Sequence, residues 1–488
     1  MTIPLIIGKE LVLKDAKEST YEVINPSNEQ IVDKVSLASE KDVEQAVGEA
    51  RKALTTFSQL ALSERVNLLL KAASEIRKHI DELSVIMSSE VGRPIKSSRF
   101  EIERTAYTFE LTAGYAGKAL EGRNIRLDQF IWPGGNRSRI GLTVREPIGV
   151  VLAITPFNFP PASVAQKIAP SLAVGNTVVV KPSLSAPLTI FRLLKILLES
   201  GFPPGTINYL TGQSSKIGRL LTDHKGIQGI SFTGSSKVGL EIASRAAGNG
   251  KRFVMELGSS DPFIVLDDAN VEQAAKFAAF ARFDYAGQYC NAGKRFFVSK
   301  SIYDQFNAAF VEATKRMIVG DPLDEKTDIG PLINKSAVES FISVVADAKQ
   351  RGGRILLGGG KLEGKGFFVE PTIAVDVSNQ ALCMKEETFY PIAPVVPFNS
   401  TEEVTERANE MEYGLDASIF TTNFGRGYKL AQAIDAGTVM INDHTRLRWD
   451  GAPFGGSKKS GFGKESVWDS MLELSKEKFI VTNVENYS

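Results

Sequence analysis

Cys290 is the residue in this sequence best suited to covalent chemistry. It lies in the segment Ala286-Gly-Gln-Tyr-Cys-Asn-Ala-Gly, which has a glycine on either side of it. Glycines let a backbone approach a substrate closely, and the cysteine amide can then donate to a developing oxyanion. Because free cysteines are also among the most buried residues, the segment taken alone favours a buried structural thiol.

Two further segments can contribute to chemistry. Glu256 ends the apolar run Phe253-Val-Met-Glu, where its carboxylate can act as a general base or cap the following turn. The segment Phe232-Thr-Gly-Ser-Ser-Lys-Val-Gly joins a predicted strand to a predicted helix, so its amides can meet a pyrophosphate. It matches neither the dinucleotide glycine fingerprint nor a P-loop, since no Lys-Ser or Lys-Thr pair follows Gly239.

A regular alternation of apolar runs and helical stretches must position these residues. The runs are rich in β-branched residues and cover 149–154, 177–180, 206–210, 227–232 and 252–255. Such a pattern predicts a doubly wound parallel sheet with helices on both faces, which binds ligands beyond the carboxyl ends of its strands.

Other elements are predicted on either side of this region. Ser39 and Ser63 each precede apolar residues at helical spacing and are predicted to begin helices. A second α/β region is predicted from 269 to about 439, with helices near 271–281, 302–317 and 336–350. Residues 122–145 are predicted to leave the main domain as a hairpin, 452–463 to form a glycine-rich loop, and 478–483 to form a strand.

Composition narrows the class of partner. The 57 lysines and arginines equal the 57 aspartates and glutamates, so no net charge recruits nucleic acid or an anionic membrane. The N-terminus lacks a basic n-region, and no apolar stretch reaches the roughly 18 residues of a spanning helix, so we expect a cytoplasmic protein with a small-molecule partner. Two cysteines and three scattered histidines predict neither a disulfide framework nor a metal site.

Seven segments taken together resemble the aldehyde dehydrogenase superfamily in order and approximate spacing, over nearly the whole chain. They are Thr155-Pro-Phe-Asn-Phe-Pro, Val180-Lys-Pro-Ser, Phe232-Thr-Gly-Ser, Met255-Glu-Leu-Gly, Gly287-Gln-Tyr-Cys, Lys385-Glu-Glu-Thr-Phe and Pro453-Phe-Gly-Gly. The resemblance implies an α/β fold in three parts. A doubly wound parallel-sheet cofactor domain would cover 1–121 and 146–256, a second α/β catalytic domain 257–466, and a small β oligomerisation element 122–145 and 467–488, in a homo-dimer or homo-tetramer.

The resemblance also implies roles for the matched residues. Cys290 would attack the aldehyde carbon, Asn158 and the Cys290 amide would hold the oxyanion, and Glu256 would activate water against the thioester. Lys181 would reach the adenosine ribose, and Glu387 the nicotinamide ribose. The full set of implied cofactor-binding residues is Thr155, Pro156, Phe157, Lys181, Ser183, Gly234, Ser235, Leu257, Glu387 and Phe389.

The chain departs from the family that it resembles at the residues expected to meet the adenosine end of the cofactor. NAD-preferring members commonly have a glutamate three residues after the lysine, whereas this chain has Leu184. A carboxylate there would repel a 2′-phosphate, while Lys181 with the neutral Ser183 and Leu184 would accept it, so NADP is predicted and NAD stays possible. Tyr390 stands where a glycine is usual, which is expected to alter the nicotinamide pocket.

The predicted substrate is a small hydroxylated aldehyde. By family analogy, residues 441–450 line the aldehyde entrance, and this tract is unusually polar. It favours glyceraldehyde or lactaldehyde over fatty aldehydes, with Tyr289, Arg446 and Arg448 as substrate contacts, and suggests similarity to NADP-dependent glyceraldehyde dehydrogenases. A semialdehyde whose carboxylate meets an arginine is the alternative, and the two arginines can instead form structural salt bridges or subunit contacts.

Two other functions stay open. In CoA-acylating relatives, CoA rather than water resolves the thioester, but those enzymes do without the base that Glu256 would supply. A non-catalytic protein that kept the fold as a binding module is the second alternative. The joint presence of Cys290, Asn158 and Glu256 argues against it.

Overall fold

The computed structural model describes residues 2–132 and 138–484, and two large sheets organise this part of the chain. The first sheet has five parallel strands, in the spatial order Arg252–Glu256, Gly229–Thr233, Val150–Ile154, Thr177–Lys181 and Ile207–Tyr209. Antiparallel strands extend it, Gly461–Phe462 at one edge and Leu5–Ile7 with Glu10–Val12 at the other. Each parallel strand coincides with a predicted apolar run to within two residues.

Helices cover both faces of the first sheet, as continuous apolar runs require. They are Glu40–Phe57, Leu62–Lys78, Ile80–Val91, Ile95–Ala119, Pro160–Val174, Leu188–Glu199, Arg219–Asp223 and Ser236–Gly248. Ser39 caps the first of them, and Asp42 completes a capping box. The prediction that Ser63 begins the second helix is wrong by two residues: the Glu64 carboxylate accepts from the Ala61 amide at 2.7 Å, which makes Ala61 the N-cap.

The second sheet has seven strands. Six of them are parallel, and their spatial order with the antiparallel edge strand first is Arg354–Leu357, Thr372–Val375, Ile392–Phe398, Gly293–Ser299, Asp261–Val265, Asp416–Phe420 and Thr438–Ile441. The helices of this region are Val271–Phe283, Tyr303–Lys315, Lys335–Gln350, Leu382–Lys385, Thr401–Asn409 and Phe424–Ala433. Together the two sheets confirm the predicted α/β class with parallel-sheet domains.

A third, antiparallel sheet consists of Asn124–Ile125, Arg139–Pro147 and Ser475–Asn483. It joins the predicted excursion to the C-terminal strand, although most of the Trp132-Pro-Gly-Gly segment lies outside the described residues. Smaller sheets pair Thr2–Ile3, Ile31–Ser36 and Thr20–Ile24, and pair Tyr413–Gly414 with Ser457–Lys458. No helix in the described part of the chain is long and apolar enough to cross a membrane.

Two segments cross the domain boundaries expected from the sequence. Gly461–Phe462, within the predicted glycine-rich loop, is a strand that pairs with Met255 and Glu256 of the first sheet. The helix Val467–Glu473 packs against Ile95–Ala119 and Pro160–Val174 instead of belonging to the third sheet. In both segments, side chains distant in sequence decide the position, as when Trp468 packs edge-on against Tyr115.

Candidate active site

One cavity of about 1020 Å³ lies at the carboxyl ends of the first-sheet strands. Four strands end on residues that line it, namely Ile154, Lys181, Thr233 and Glu256. Ile154 is paired in register with Lys181, and Thr233 with Glu256, so neighbouring strands deliver their last side chains to one edge. Parallel sheets bind ligands at this edge.

The three predicted catalytic residues, Cys290, Asn158 and Glu256, all line this cavity. Cys290 is partly exposed to it and follows a turn whose residues Tyr285, Ala286 and Gly287 have positive φ angles of 48°, 54° and 71°. A Cβ on Gly287 would lie 2.8 Å from the Arg282 carbonyl oxygen, so only glycine fits there. The cysteine therefore sits on a backbone whose conformation is set by close packing.

The surroundings of Cys290 disfavour its thiolate. Burial raises its pKa to about 12, while the nearby Lys294 acts in the opposite direction. The thiolate is the nucleophilic form of cysteine. A reaction at this sulfur therefore needs local groups that favour loss of the proton.

Asn158 is held beside the nucleophile segment. Its side-chain nitrogen donates to the backbone carbonyl of Gln288 at 3.0 Å, and its backbone carbonyl accepts from Arg93 at 3.2 Å. An amide nitrogen carries two hydrogens, so a second one is available to an oxyanion. The geometry suits a neutral donor fixed against the nucleophile.

Glu256 is buried, and neither carboxylate oxygen has a hydrogen-bond partner in the described part of the chain. Burial, with the negative charge of Glu465, raises its pKa well above the usual range for a carboxyl. A Cβ on Gly455 would lie 2.8 Å from one of these oxygens, so this glycine leaves the carboxylate room. An unsatisfied buried carboxyl is costly, and such groups concentrate at functional sites.

Sequence reasoning missed a buried ionic network next to Glu256. Lys167 donates to Glu465 at 2.6 Å and to the Thr233 hydroxyl at 2.7 Å, and Arg448 donates to the same glutamate at 3.1 Å. Glu465 raises the pKa of Glu256, whereas Arg448 and Lys167 lower it. A signal was present in the sequence, because Lys167 is the only charged residue in the fully buried helix Pro160–Val174.

All ten predicted cofactor-binding residues also line the cavity. The Lys181 ammonium lies 3.1 Å from the Ser214 hydroxyl, and burial lowers its pKa to about 8. Ser235 occupies the N-cap of the helix Ser236–Gly248 but makes no side-chain cap. The buried Thr155 hydroxyl also lacks a partner among the described residues. The Thr155 hydroxyl and the first amides of the helix Ser236–Gly248 can therefore donate to a polar, phosphorylated ligand.

At the other end of this set, Glu387 and Phe389 come from the second α/β region. Glu387 accepts from the Ser259 amide at 2.9 Å, and the Phe389 ring packs edge-on against Phe157 at 6.2 Å. Tyr390 does not line the cavity; its ring packs against Phe341 in the core of the second region. The expectation that Tyr390 alters the nicotinamide pocket is not supported by this position.

The three predicted substrate contacts separate into two groups. Arg446 and Arg448 line the cavity, and each pairs with a carboxylate at 3.1 Å, Arg446 with Asp284 and Arg448 with Glu465. Tyr289 does not line it, because its side chain is fully buried and its hydroxyl donates to Asp284 at 2.8 Å. The Tyr289 ring packs against the guanidinium of Arg446. The prediction that Tyr289 itself contacts substrate is corrected accordingly.

The helix Ile95–Ala119 adds residues that the sequence did not single out. Lys96, Phe100 and Arg104 recur every fourth position and line the cavity from one face of the helix. Arg104 forms a two-point ion pair with the buried Asp450, with distances of 2.6 and 3.1 Å. Within residues 2–132 and 138–484, no cluster of three or more potential ligands is arranged for a metal ion.

Comparison with known proteins agrees with this architecture. The model of the aldehyde dehydrogenase family matches residues 13–480. A lactaldehyde dehydrogenase of Methanocaldococcus jannaschii is 40% identical, covering 94% of this chain and 96% of its own length. A 3-sulfolactaldehyde dehydrogenase of Priestia megaterium is 37% identical, covering 95% of each chain.

Solved structures show the same fold. The crystal structure of betaine aldehyde dehydrogenase from Staphylococcus aureus in complex with NAD⁺ superposes with a TM-score of 0.93 at 33% identity, covering 99% of this chain and 95% of that one. Both the family model and the relatives extend over nearly the whole sequence. The chain therefore belongs to the aldehyde dehydrogenase family.

Proposed function

We propose that this chain oxidises a small hydroxylated aldehyde to its carboxylic acid through a thioester on Cys290, with NADP as the preferred acceptor. The observation that carries the proposal is the convergence of Cys290, Asn158 and Glu256 on one cavity, with both oxygens of Glu256 unpartnered in the described chain. Nucleophile, oxyanion donor and base are the groups that this chemistry needs.

The first half of the reaction forms the bond to sulfur. The thiol proton passes to water in the cavity, and the Cys290 sulfur bonds to the aldehyde carbon. The carbonyl oxygen becomes an oxyanion that accepts from the Asn158 amide and from the Cys290 backbone N–H. When bound, a nicotinamide ring supplies the acceptor for the hydride that leaves this carbon, so the product on the enzyme is a thioester.

The second half is hydrolysis. Glu256 takes a proton from a water molecule as its oxygen attacks the thioester carbon, the carbon–sulfur bond breaks, and Cys290 leaves as a thiolate. A carboxyl with a pKa raised by burial is a stronger base than an exposed one when it is ionised. This role favours water over CoA as the acyl acceptor.

The cofactor proposal rests on the residues around Lys181. An ammonium and the Ser214 and Ser183 hydroxyls can meet a 2′-phosphate, and Leu184 places no negative charge beside it. The NAD⁺ held by the Staphylococcus aureus relative supports a nicotinamide dinucleotide in the same fold. The choice of NADP over NAD is argued from this chain's own side chains.

Replacing Leu184 tests that choice. We expect Leu184→Glu to raise the KM for NADP roughly ten- to a hundredfold, because one carboxylate near a 2′-phosphate costs on the order of 1–3 kcal/mol. Leu184 also packs against the apolar cluster of Val23, Val35 and Leu188, so Leu184→Gln serves as the matched control for lost packing. Initial rates with NADP and NAD measure both variants, and an equal rise of the KM for NADP in both would reject the charge argument.

The substrate proposal rests on the pairing of the two arginines. Because Arg446 and Arg448 are each neutralised by a carboxylate, a substrate anion would gain little net electrostatic attraction from them. Each guanidinium carries five N–H donors and its ion pair uses only some of them, so donors remain for a neutral hydroxyl in the cavity. The activities named for the lactaldehyde and 3-sulfolactaldehyde relatives support a short 2-hydroxyaldehyde chain.

An initial-rate panel tests the function itself. Glyceraldehyde, lactaldehyde, succinate semialdehyde and hexanal would each be assayed with NADP and with NAD, in the absence of CoA. We expect kcat/KM for the two hydroxyaldehydes to exceed that for hexanal by roughly ten- to a thousandfold, since hexanal cannot pair with the guanidinium donors that line the cavity. Preference for succinate semialdehyde would favour the alternative substrate, and dependence on CoA would refute hydrolysis.

We further propose that the third sheet takes part in a dimer or tetramer. Five apolar side chains on its two long strands are about half exposed: Ile140, Leu142, Phe479, Ile480 and Val481. Ile480 is paired in register with Leu142 and shares one face of the sheet with Leu142 and Ile140, whereas Phe479 and Val481 lie on the other face. Exposed apolar surface of this kind is characteristic of protein interfaces.

A further inference from the structure

Lys294 is a fully buried lysine next to the candidate nucleophile. It lies four residues after Cys290, at the second position of the strand Gly293–Ser299. Its ammonium donates to the backbone carbonyl of Cys290 and lies 4.0 Å from a carboxylate oxygen of Glu387. The same nitrogen lies 6.0 Å from the centre of the Phe389 ring. One side chain therefore connects the nucleophile loop to the segment proposed to hold the nicotinamide ribose.

The charges around Lys294 come from several elements. Burial disfavours the charged form of Lys294 and lowers its pKa, while Asp261, on the adjacent strand, and Glu387 favour that form. Arg282, at the end of the helix Val271–Phe283, adds to the effect of burial. Asp416, on the strand beyond Asp261, acts on Cys290 and disfavours the thiolate. Apart from Lys294, every charged group named here that acts on Cys290 is an acid.

An ammonium loses its hydration when it is buried, so a fully buried lysine needs groups that compensate for that loss. A structural role would need only the hydrogen bond to the Cys290 carbonyl. The neighbouring carboxyls add a second consideration, because their anions repel a thiolate. An adjacent cation offsets that repulsion and favours the thiolate.

We propose that Lys294 is a positioning residue whose buried positive charge favours the thiolate of Cys290 while its hydrogen bond holds the Cys290 backbone. This inference rests on the proposed role of Cys290 as the nucleophile. It concerns the reactivity of the sulfur before any substrate binds. It can therefore be tested without turnover, and its failure would leave the thioester chemistry standing.

The test is the rate of Cys290 alkylation by iodoacetamide as a function of pH, measured on the full chain by mass spectrometry. Lys294→Gln keeps a hydrogen-bond donor but removes the charge, and Lys294→Met removes both. We expect both variants to move the pH midpoint of alkylation upward by about one unit, which is roughly tenfold slower labelling at pH 8. Lys294→Arg keeps a charge and is expected to hold the wild-type midpoint.

Lys251→Gln is the matched control, because Lys251 is also buried but donates to the Thr222 and His224 carbonyls away from the cavity. It is expected to leave the midpoint unchanged. A wild-type midpoint in Lys294→Gln would overturn the proposal, since the hydrogen bond alone would then suffice. If neither uncharged variant folds, a raised midpoint in Lys294→Arg overturns it and an unchanged midpoint supports it.

Discussion

Replacing Cys290 with alanine is expected to abolish both the pre-steady-state burst of reduced cofactor and the steady-state rate. Without the sulfur there is no covalent bond to the aldehyde carbon, and so no tetrahedral carbon from which hydride can leave. The loss should reach at least about 10⁴-fold, the scale at which removal of a nucleophile leaves only residual catalysis. Stopped-flow absorbance of the reduced nicotinamide measures burst and rate together.

The second cysteine provides the matched control. Cys383 is fully buried, does not line the cavity, and packs in the core of the second α/β region. Cys383→Ala should therefore lower the free energy of unfolding by about 1 kcal/mol, because it leaves a small cavity, and should retain the burst. A burst that survives in Cys290→Ala would show that the reaction does not pass through this sulfur.

Replacing Glu256 with glutamine is expected to separate the two halves of the reaction. The thioester should still form, giving about one equivalent of reduced cofactor per site, and then persist because no base activates water. Steady-state turnover should fall roughly 10²- to 10⁴-fold, the usual contribution of a general base. Rapid-quench measurement of burst amplitude and mass spectrometry of the acylated enzyme report both quantities.

Hydroxylamine distinguishes this block from a damaged site. It attacks thioesters without a protein base, so it should restore turnover in Glu256→Gln and leave Cys290→Ala inactive. The wild-type enzyme adds a pH test: the Glu256 pKa is raised, so the ionised base is lost as pH falls through that raised value. Hydrolysis should decline there while the glutamine variant shows no matching step. Equal loss of the burst in both variants would refute the assignment.

The parts of the fold that follow from local pattern were predictable. The β-branched runs that end at Ile154, Thr233 and Glu256 form strands because such side chains fit a sheet that is buried on both faces. Ser39 begins a helix because its hydroxyl and Asp42 satisfy free amides within four residues of chain. The same proximity explains the error at Ser63, where Glu64 caps Ala61 instead.

Only the tertiary structure decided which charges meet. Lys167 and Glu465 are 298 positions apart, and Arg104 and Asp450 are 346 apart, yet both pairs lie within 3 Å beside the cavity. No periodicity encodes such a contact, because it arises where helices of one region pack against a distant segment. Tyr289 shows the same limit: its neighbour Cys290 lines the cavity, while the tyrosine is turned into the core.

By itself, the sequence determined the strands, most helices and the residues able to do chemistry, since those depend on side-chain type and short-range spacing. Tertiary packing decided whether each ionisable group is buried, paired or free, and those conditions set its proton affinity. Arg446 and Arg448 were visible as candidates from the start. Their neutralisation by Asp284 and Glu465, on which the choice of substrate turns, exists only in the folded chain.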